Sequence, residues 1–136
     1  MHTHKRLRSE SGASAVEFAL LLPVLMVILF GVIECGMALY RQAILTNASR
    51  EGARLGIVQS TPPIANAAVT AKINAYLTAA GINPGTVTRN VPVLTGGTGS
   101  DVIVTLTLPY TYVVLPGLTS ITPSINLVAT TVMRHE

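Results

Sequence analysis

The chain has 136 residues, of which 49 % are hydrophobic and only 11 % charged, and its net charge is +3. That length suits one small domain plus an anchor. The basic residues are scattered with no interleaved aromatics, so the pattern offers no nucleic-acid surface, and a single cysteine excludes an internal disulfide.

Residues 1–12 are polar and basic, with Lys5, Arg6 and Arg8 and no periodicity, and read as a disordered leader in which Ser9 or Ser11 could cap a following helix. From Ala13 to Ile33 the chain is apolar apart from Glu17. About 20 such residues cross a bilayer core as a helix, and a lone segment in lipid satisfies its backbone only as a helix. The competing reading, a buried helix of a soluble protein, is disfavoured by the length of the run. A cleaved secretory signal is disfavoured too: its apolar core is shorter, and Glu34 interrupts any small-x-small site. Ile33-Glu34 ahead of Cys35 does not offer the small residues a lipoprotein site needs, so the anchor is expected to stay attached. Pro23 removes a backbone donor and is expected to kink the helix. Gly31 and Gly36 are weak hints of close helix approach. Cys35 is read as a small packing residue at the end of the run.

From Arg41 the pattern turns amphipathic, with Ile44, Leu45, Ala48, Leu55 and Val58 near one side. Gly52 and Gly56 weaken this half, and Ser60-Thr61-Pro62-Pro63 ends it. The expected helix covers residues 13–60, with a membrane span of about 13–40 and a projecting half over 41–58. From Ala13 to Val58 it would be roughly 65–70 Å long at 1.5 Å per residue. Asn47-Ala48-Ser49 matches a glycosylation acceptor but lies mid-helix, where acceptors are disfavoured.

Residues 61–136 are expected to form a soluble α+β head. Ala65 to Ala80 reads as a helix with a stripe of Ile64, Ala68, Ile73, Leu77 and Ala80, closed by Gly81. Asn83-Pro84-Gly85 is a turn. Thr86 to Leu94 alternates, with Val87, Arg89, Val91 and Val93 on one side, and Pro92 confines it to a sheet edge. Gly96 to Ser100 reads as a loose hairpin loop. Asp101 to Val114 alternates with Val102, Val104, Leu106 and Leu108 on one face until Leu115-Pro116-Gly117, and Ile125 to Arg134 gives a third strand. The fold class is therefore a membrane-anchored α+β protein: one long N-terminal helix, one further helix, and a roughly three-stranded antiparallel sheet packed on the projecting half.

Nothing in the pattern is catalytic. His2, His4 and His135 lie at the chain ends, the acids are too dispersed for an acid/base pair or a metal site, and no serine sits in a nucleophile elbow. Gly96 to Gly99 does not join a strand to a helix and is no phosphate cradle. The expectation is a non-enzyme with no cofactor and no metal.

Glu17 is the costly residue, since a carboxylate in a membrane segment needs a partner. It either snorkels from the helix end or has a use connected with Gly12. A cut between Gly12 and Ala13 would make Glu17 the fifth residue. Its carboxylate could then neutralise the new α-ammonium of a neighbouring copy in the same apolar layer.

A basic leader, a glycine, four residues, Glu17-Phe18 and an apolar helix resemble the type IV prepilin-like proteins, in particular the processing site of Tad (tight adherence) pseudopilins. The run Ser14-Ala15-Val16-Glu17-Phe18-Ala19-Leu20-Leu21-Leu22-Pro23, with Glu34, Ala38, Leu39 and Asn47 to Arg54, resembles the TadE-like family, as do the C-terminal strands ending at Arg134. One departure is the lack of the second cysteine that members often carry. The resemblance implies cleavage by a prepilin peptidase between Gly12 and Ala13, assembly through Glu17 and Phe18, and a role as a pseudopilin or minor pilin. Implied partners are the peptidase, other pilins, inner-membrane pilus assembly proteins and the lipid bilayer. Basic residues flank the helix almost equally (Lys5, Arg6, Arg8 against Arg41, Arg50, Arg54), so orientation leans partly on the resemblance: single-pass in a bacterial cytoplasmic membrane, N-terminus inside, head outside. The alternative is a permanently anchored accessory or envelope protein that recruits partners through its head.

Overall fold

A computed structural model describes residues 6–58, 64–91, 99–113 and 124–135, and the side chains from residue 12 onward. Its elements are α1 (Arg6–Gly56), α2 (Asn66–Ala79), a 3-10 turn (Pro84–Thr86), β1 (Thr88–Asn90), β2 (Asp101–Thr111) and β3 (Ser124–Arg134). The three strands form one antiparallel sheet in the order β1-β2-β3. This is the expected α+β architecture: a long apolar N-terminal helix, a second helix and a three-stranded antiparallel sheet.

The 51 residues of α1 make it about 76 Å long at 1.5 Å per residue. It starts at Arg6, seven residues before Ala13, so helix extends back into the basic stretch expected to be disordered. It runs through Pro23 without a break and ends at Gly56. Val58 lies past that end and is exposed, against its expected place on the buried side, and Leu55 is only half-buried. The expected stop at Ser60 to Pro63 falls outside the described residues, as do Pro92, Gly96 to Thr98, and Leu115 to Gly117.

The two halves of α1 differ in what covers them. Large apolar side chains from Val16 to Ile33 are exposed, apart from half-buried Met26 and Phe30. Beyond Glu34 the helix becomes one wall of the core. Ile44, Leu45, Ala48 and Ala53 join Val69, Ile73 and Leu77 of α2, and the inward face of β2 (Val102, Val104, Leu106, Leu108, Tyr110) closes the other side with Leu127 and Ala129 of β3. The alternation expected in β2 holds and continues to Tyr110.

In α2 the buried stripe is Val69, Ile73 and Leu77, and Ala68 is exposed where it was expected to pack. The spacing of four keeps the three branched side chains on one line towards α1. Gly81, with φ +76°, is the residue beyond the helix end. Its N–H reaches Thr78 O at 3.0 Å and the next N–H, of Ile82, reaches Leu77 O at 2.9 Å, a Schellman closure. Asn83 caps the 3-10 turn by accepting from Gly85 N at 2.9 Å. That turn takes up Thr86, expected to begin the first strand, so β1 starts only at Thr88; it ends at Asn90, and the expected continuation from Pro92 to Leu94 lies outside the described residues. Arg89 shares a side with Val87, as expected; that side proves to be the inward one, opposite Leu106, where Arg89 donates to Asn74 Oδ1 and to Pro84 O at 3.2 Å.

Polar contacts fix the register of α1 along the sheet. Ser49 is fully buried; its Oγ donates to Thr46 O at 2.8 Å, which leaves Thr131 Oγ1, 2.6 Å away, as the donor to it. Gln42 Nε2 donates to Val128 O at 2.8 Å. Moving up α1 from Gln42 to Ser49 thus moves up β3 from Val128 to Thr131, so β3 ascends beside α1.

Gly52, expected to weaken the helix, has a packing reason. A Cβ there would lie 2.6 Å from Ile73 Cδ1 and 2.7 Å from Cγ1, and Ile73 is fully buried and has no room to swing away. Gly52→Val should destabilise the head by about 2 kcal/mol through overpacking. Ile73→Ala in the same chain should recover part of that loss. Denaturant unfolding of the single and double variants, followed by near-UV circular dichroism, measures the coupling; additive effects would show that α1–α2 approach is not what requires glycine.

Candidate functional site

The residues singled out from the sequence all lie on the bare half of α1. Gly12, Ala13, Glu17 and Phe18 are exposed, Phe18 by 62 %, and Pro23 is exposed within the continuous helix. They share one element, and no other element of the described chain packs on them. Nothing lies within 4 Å of the position a Cβ would take at Gly12. Glycine costs about 1 kcal/mol against alanine in a helix, and no contact inside the chain accounts for it here. Cys35 is exposed as well, so it does not pack within the chain as expected.

The centre that sequence reasoning missed is Glu34. It directly follows the bare run, yet it is 1 % exposed. Its Oε1 accepts from Tyr110 Oη at 2.6 Å and from Val113 N at 3.0 Å. A buried carboxylate is tolerable only when donors replace its water; one donor comes from the end of β2 and the other from the chain two residues past it. Arg41, almost two turns further along α1, places its guanidinium 5.1 Å from the centroid of the Tyr110 ring, and Tyr112 meets that ring edge-on at 5.6 Å. The signal was present in two patterns: an acid at the end of a long apolar run, and a period-two alternation in β2 that extends past Leu108 to Tyr110.

Burial pushes the Tyr110 phenol up to about 12, helped by the hydrogen bond to Glu34 and the negative charge behind it, with Arg41 pulling the other way. The phenol therefore stays a donor across the physiological range. The contact is structural: it ties the lower end of the sheet to the helix where the apolar run stops. Among the described residues no group of three or more His, Cys, Asp or Glu could hold a metal ion.

One helix among the described residues is long and apolar enough to cross a membrane, and none of its most apolar window is buried. Ala13 to Ile33 spans about 31 Å, close to the roughly 30 Å hydrocarbon core of a bilayer. Residues 12–54 match the family model described as TadE-like protein, the family the sequence resembles. The match covers the bare run, Glu34 and the projecting half through Arg54. No curated protein and no solved structure matches the chain.

A raised folded-state pKa in Tyr110 means that its stabilisation is fully present below pH 10 and is lost as pH rises towards 12. Tyr110→Phe should cost about 1.5–3 kcal/mol at neutral pH, because the buried Glu34 carboxyl loses its closest donor. The gap between wild type and variant should close between pH 10 and 12. Ultraviolet titration checks the assignment: wild type should show a phenolate component near pH 12 that Tyr110→Phe lacks.

Proposed function

We propose that this chain is a minor pilin or pseudopilin of a Tad-type pilus system, a non-enzymatic subunit held by α1 in the bacterial cytoplasmic membrane. The observation that carries the reading is the match of residues 12–54 to the TadE-like family on a helix whose first half is bare and whose second half bears the head. A bare apolar helix has two uses for a pilin: anchorage in lipid before assembly, and packing against other pilin helices afterwards. The head is then carried outside the membrane, with the N-terminus in the cytoplasm. The membrane span on this reading is 13–33, shorter than the 13–40 expected from apolarity alone, because the head already covers the helix at Glu34.

Processing follows from the same stretch. A prepilin peptidase would cut between Gly12 and Ala13, removing the basic leader and creating an α-ammonium at the edge of the apolar layer. Gly12 is read as the small residue the peptidase pocket needs, consistent with the empty space around it. Glu17, exposed on the bare helix, is read as the counter-charge for the amine of a neighbouring subunit, and Phe18 as part of the helix-packing surface. Other pilins and inner-membrane assembly proteins are the partners this implies.

Two experiments test the reading. N-terminal sequencing of the mature protein from its native host should begin at Ala13, and a bulky residue at Gly12 should leave the leader attached; mature protein that keeps residues 1–12 would refute the pseudopilin assignment. Separately, Glu17→Gln should still insert and still be cut, since the cut precedes packing, yet should co-purify less with other pilins than wild type does. Equal association would leave Glu17 as an ordinary acid at a helix end.

A further inference from the structure

Beside the Glu34 contact, on the side of the α2–β1 connection, lies a groove of about 540 Å³. Helix α1 supplies Met37, Tyr40, Arg41 and Ile44 along one wall. Ala80 to Asn83 and Thr86 form the other, and Leu108 of β2 lies between them. The lining is mostly apolar and includes no carboxylate, and its one charge is Arg41.

Its height is what gives the groove a ligand. Met37 is four residues and Ile44 eleven residues beyond Ile33, so the wall rises from about 6 to about 17 Å above the end of the bare run. Each headgroup layer adds roughly 5–8 Å to the hydrocarbon core, so the Met37 end of the groove lies at headgroup level and the Ile44 end above it. The Cα of Arg41 stands about 12 Å above Ile33, and a helix side chain leans back towards the N-terminus, which carries the guanidinium down towards the headgroups. Tyr40 is 65 % exposed there, with an apolar ring and a polar tip of the kind that settles at this interface. Arg41 is exposed, and its guanidinium is held against the Tyr110 ring, which Glu34 fixes in turn. The cation therefore has a set place rather than a wide sweep, and a planar fork of donors suits a phosphate.

We propose that the groove between α1 and the α2–β1 connection binds the headgroup of an anionic phospholipid from the bilayer that α1 spans, with the phosphate on Arg41 and the glycerol end below it against Met37. This rests on the reading of α1 as a membrane span. The bound lipid would fix how deep the head sits and would have to leave, or be carried along, when the subunit leaves the membrane.

The test reconstitutes the full chain in phosphatidylcholine vesicles containing a minority of phosphatidylglycerol, extracts it in mild detergent and counts retained lipid by native mass spectrometry. Wild type should retain a phosphatidylglycerol, and Arg41→Lys should retain less than wild type but more than Arg41→Gln, because lysine keeps the charge and loses the fork and the stacking on Tyr110. Arg41→Gln should retain about five-fold less than wild type, the scale of one basic residue at an anionic surface. Thr86→Trp keeps the charge and fills the groove from its exposed side, and it should lose the lipid too. Arg54→Gln, on the same helix but well above the groove, should behave as wild type. Undiminished retention by Arg41→Gln or by Thr86→Trp overturns the proposal, as does an equal loss in Arg54→Gln, which would mean diffuse attraction. Displacement of the lipid by excess inorganic phosphate would identify a free-anion site and overturn it as well. Flotation of wild type with the vesicles reports separately on membrane insertion, so a failure of the anchor reading is distinguishable from a failure of the groove.

Discussion

A carboxylate buried at the end of an apolar helix is the constraint on which the rest of this structure depends. Glu34 could not stay ionised against lipid, and it could not remain one residue beyond the bare run without donors. The end of β2 and the chain just past it supply them through Tyr110 Oη and Val113 N. Two boundaries are thereby fixed at one point: the end of the surface that faces outward from α1, and the beginning of the surface that carries the head. Without that contact the first two turns past Ile33, with exposed Leu39 and Tyr40, would read as a continuation of the apolar run.

The head has no core of its own without α1. Three strands and a fourteen-residue helix cannot close an apolar interior, and the open side is filled by Ile44, Leu45, Ala48 and Ala53. Small residues make this possible. Gly52 lets Ile73 come within a distance no Cβ allows, and Ser49 trades a bulky apolar side chain for a hydroxyl chain from Thr46 O to Thr131. The helix is thus stiffened along its upper half by the same contacts that fold the head, and force or displacement applied to the bare half reaches the head through a packed interface rather than a linker.

Much of this was legible in the sequence, for reasons that can be named. The apolar run announced itself by length, and β2 and β3 by alternation, because a period of two on a half-buried sheet leaves few other readings. Gly81 announced the end of α2 because a left-handed position there favours glycine. What stayed hidden was tertiary. Gly52 has poor helix propensity, and only the position of Ile73 turns it into a requirement. Val69 and Ala68 are adjacent apolar residues, and the choice between them depends on where α1 lies. Glu34 stood out as an acid, but its partner is 76 residues away in the chain, and no local pattern pairs them.

That division separates the residues whose presence the chain explains from those it does not. In the upper half of α1, a glycine, a buried serine and, at its lower edge, a buried acid each have an internal partner: Ile73, Thr131 and Tyr110. In the lower half, Gly12 and Gly31 have nothing within 4 Å of a would-be Cβ, as is true of Gly36 just past Glu34, and Glu17 lies exposed in an apolar surface. Glycines weaken a helix and an acid weakens its insertion, so the lower half carries costs that no contact among the described residues offsets. On the proposed reading those costs are offset between molecules: at Gly12 by a peptidase, at Glu17 by the amine of a neighbour, at Gly31 and Gly36 by the close approach of other helices. A helix that served only as an anchor would need none of these residues, which is why the unexplained half of α1 argues for assembly rather than for anchorage alone.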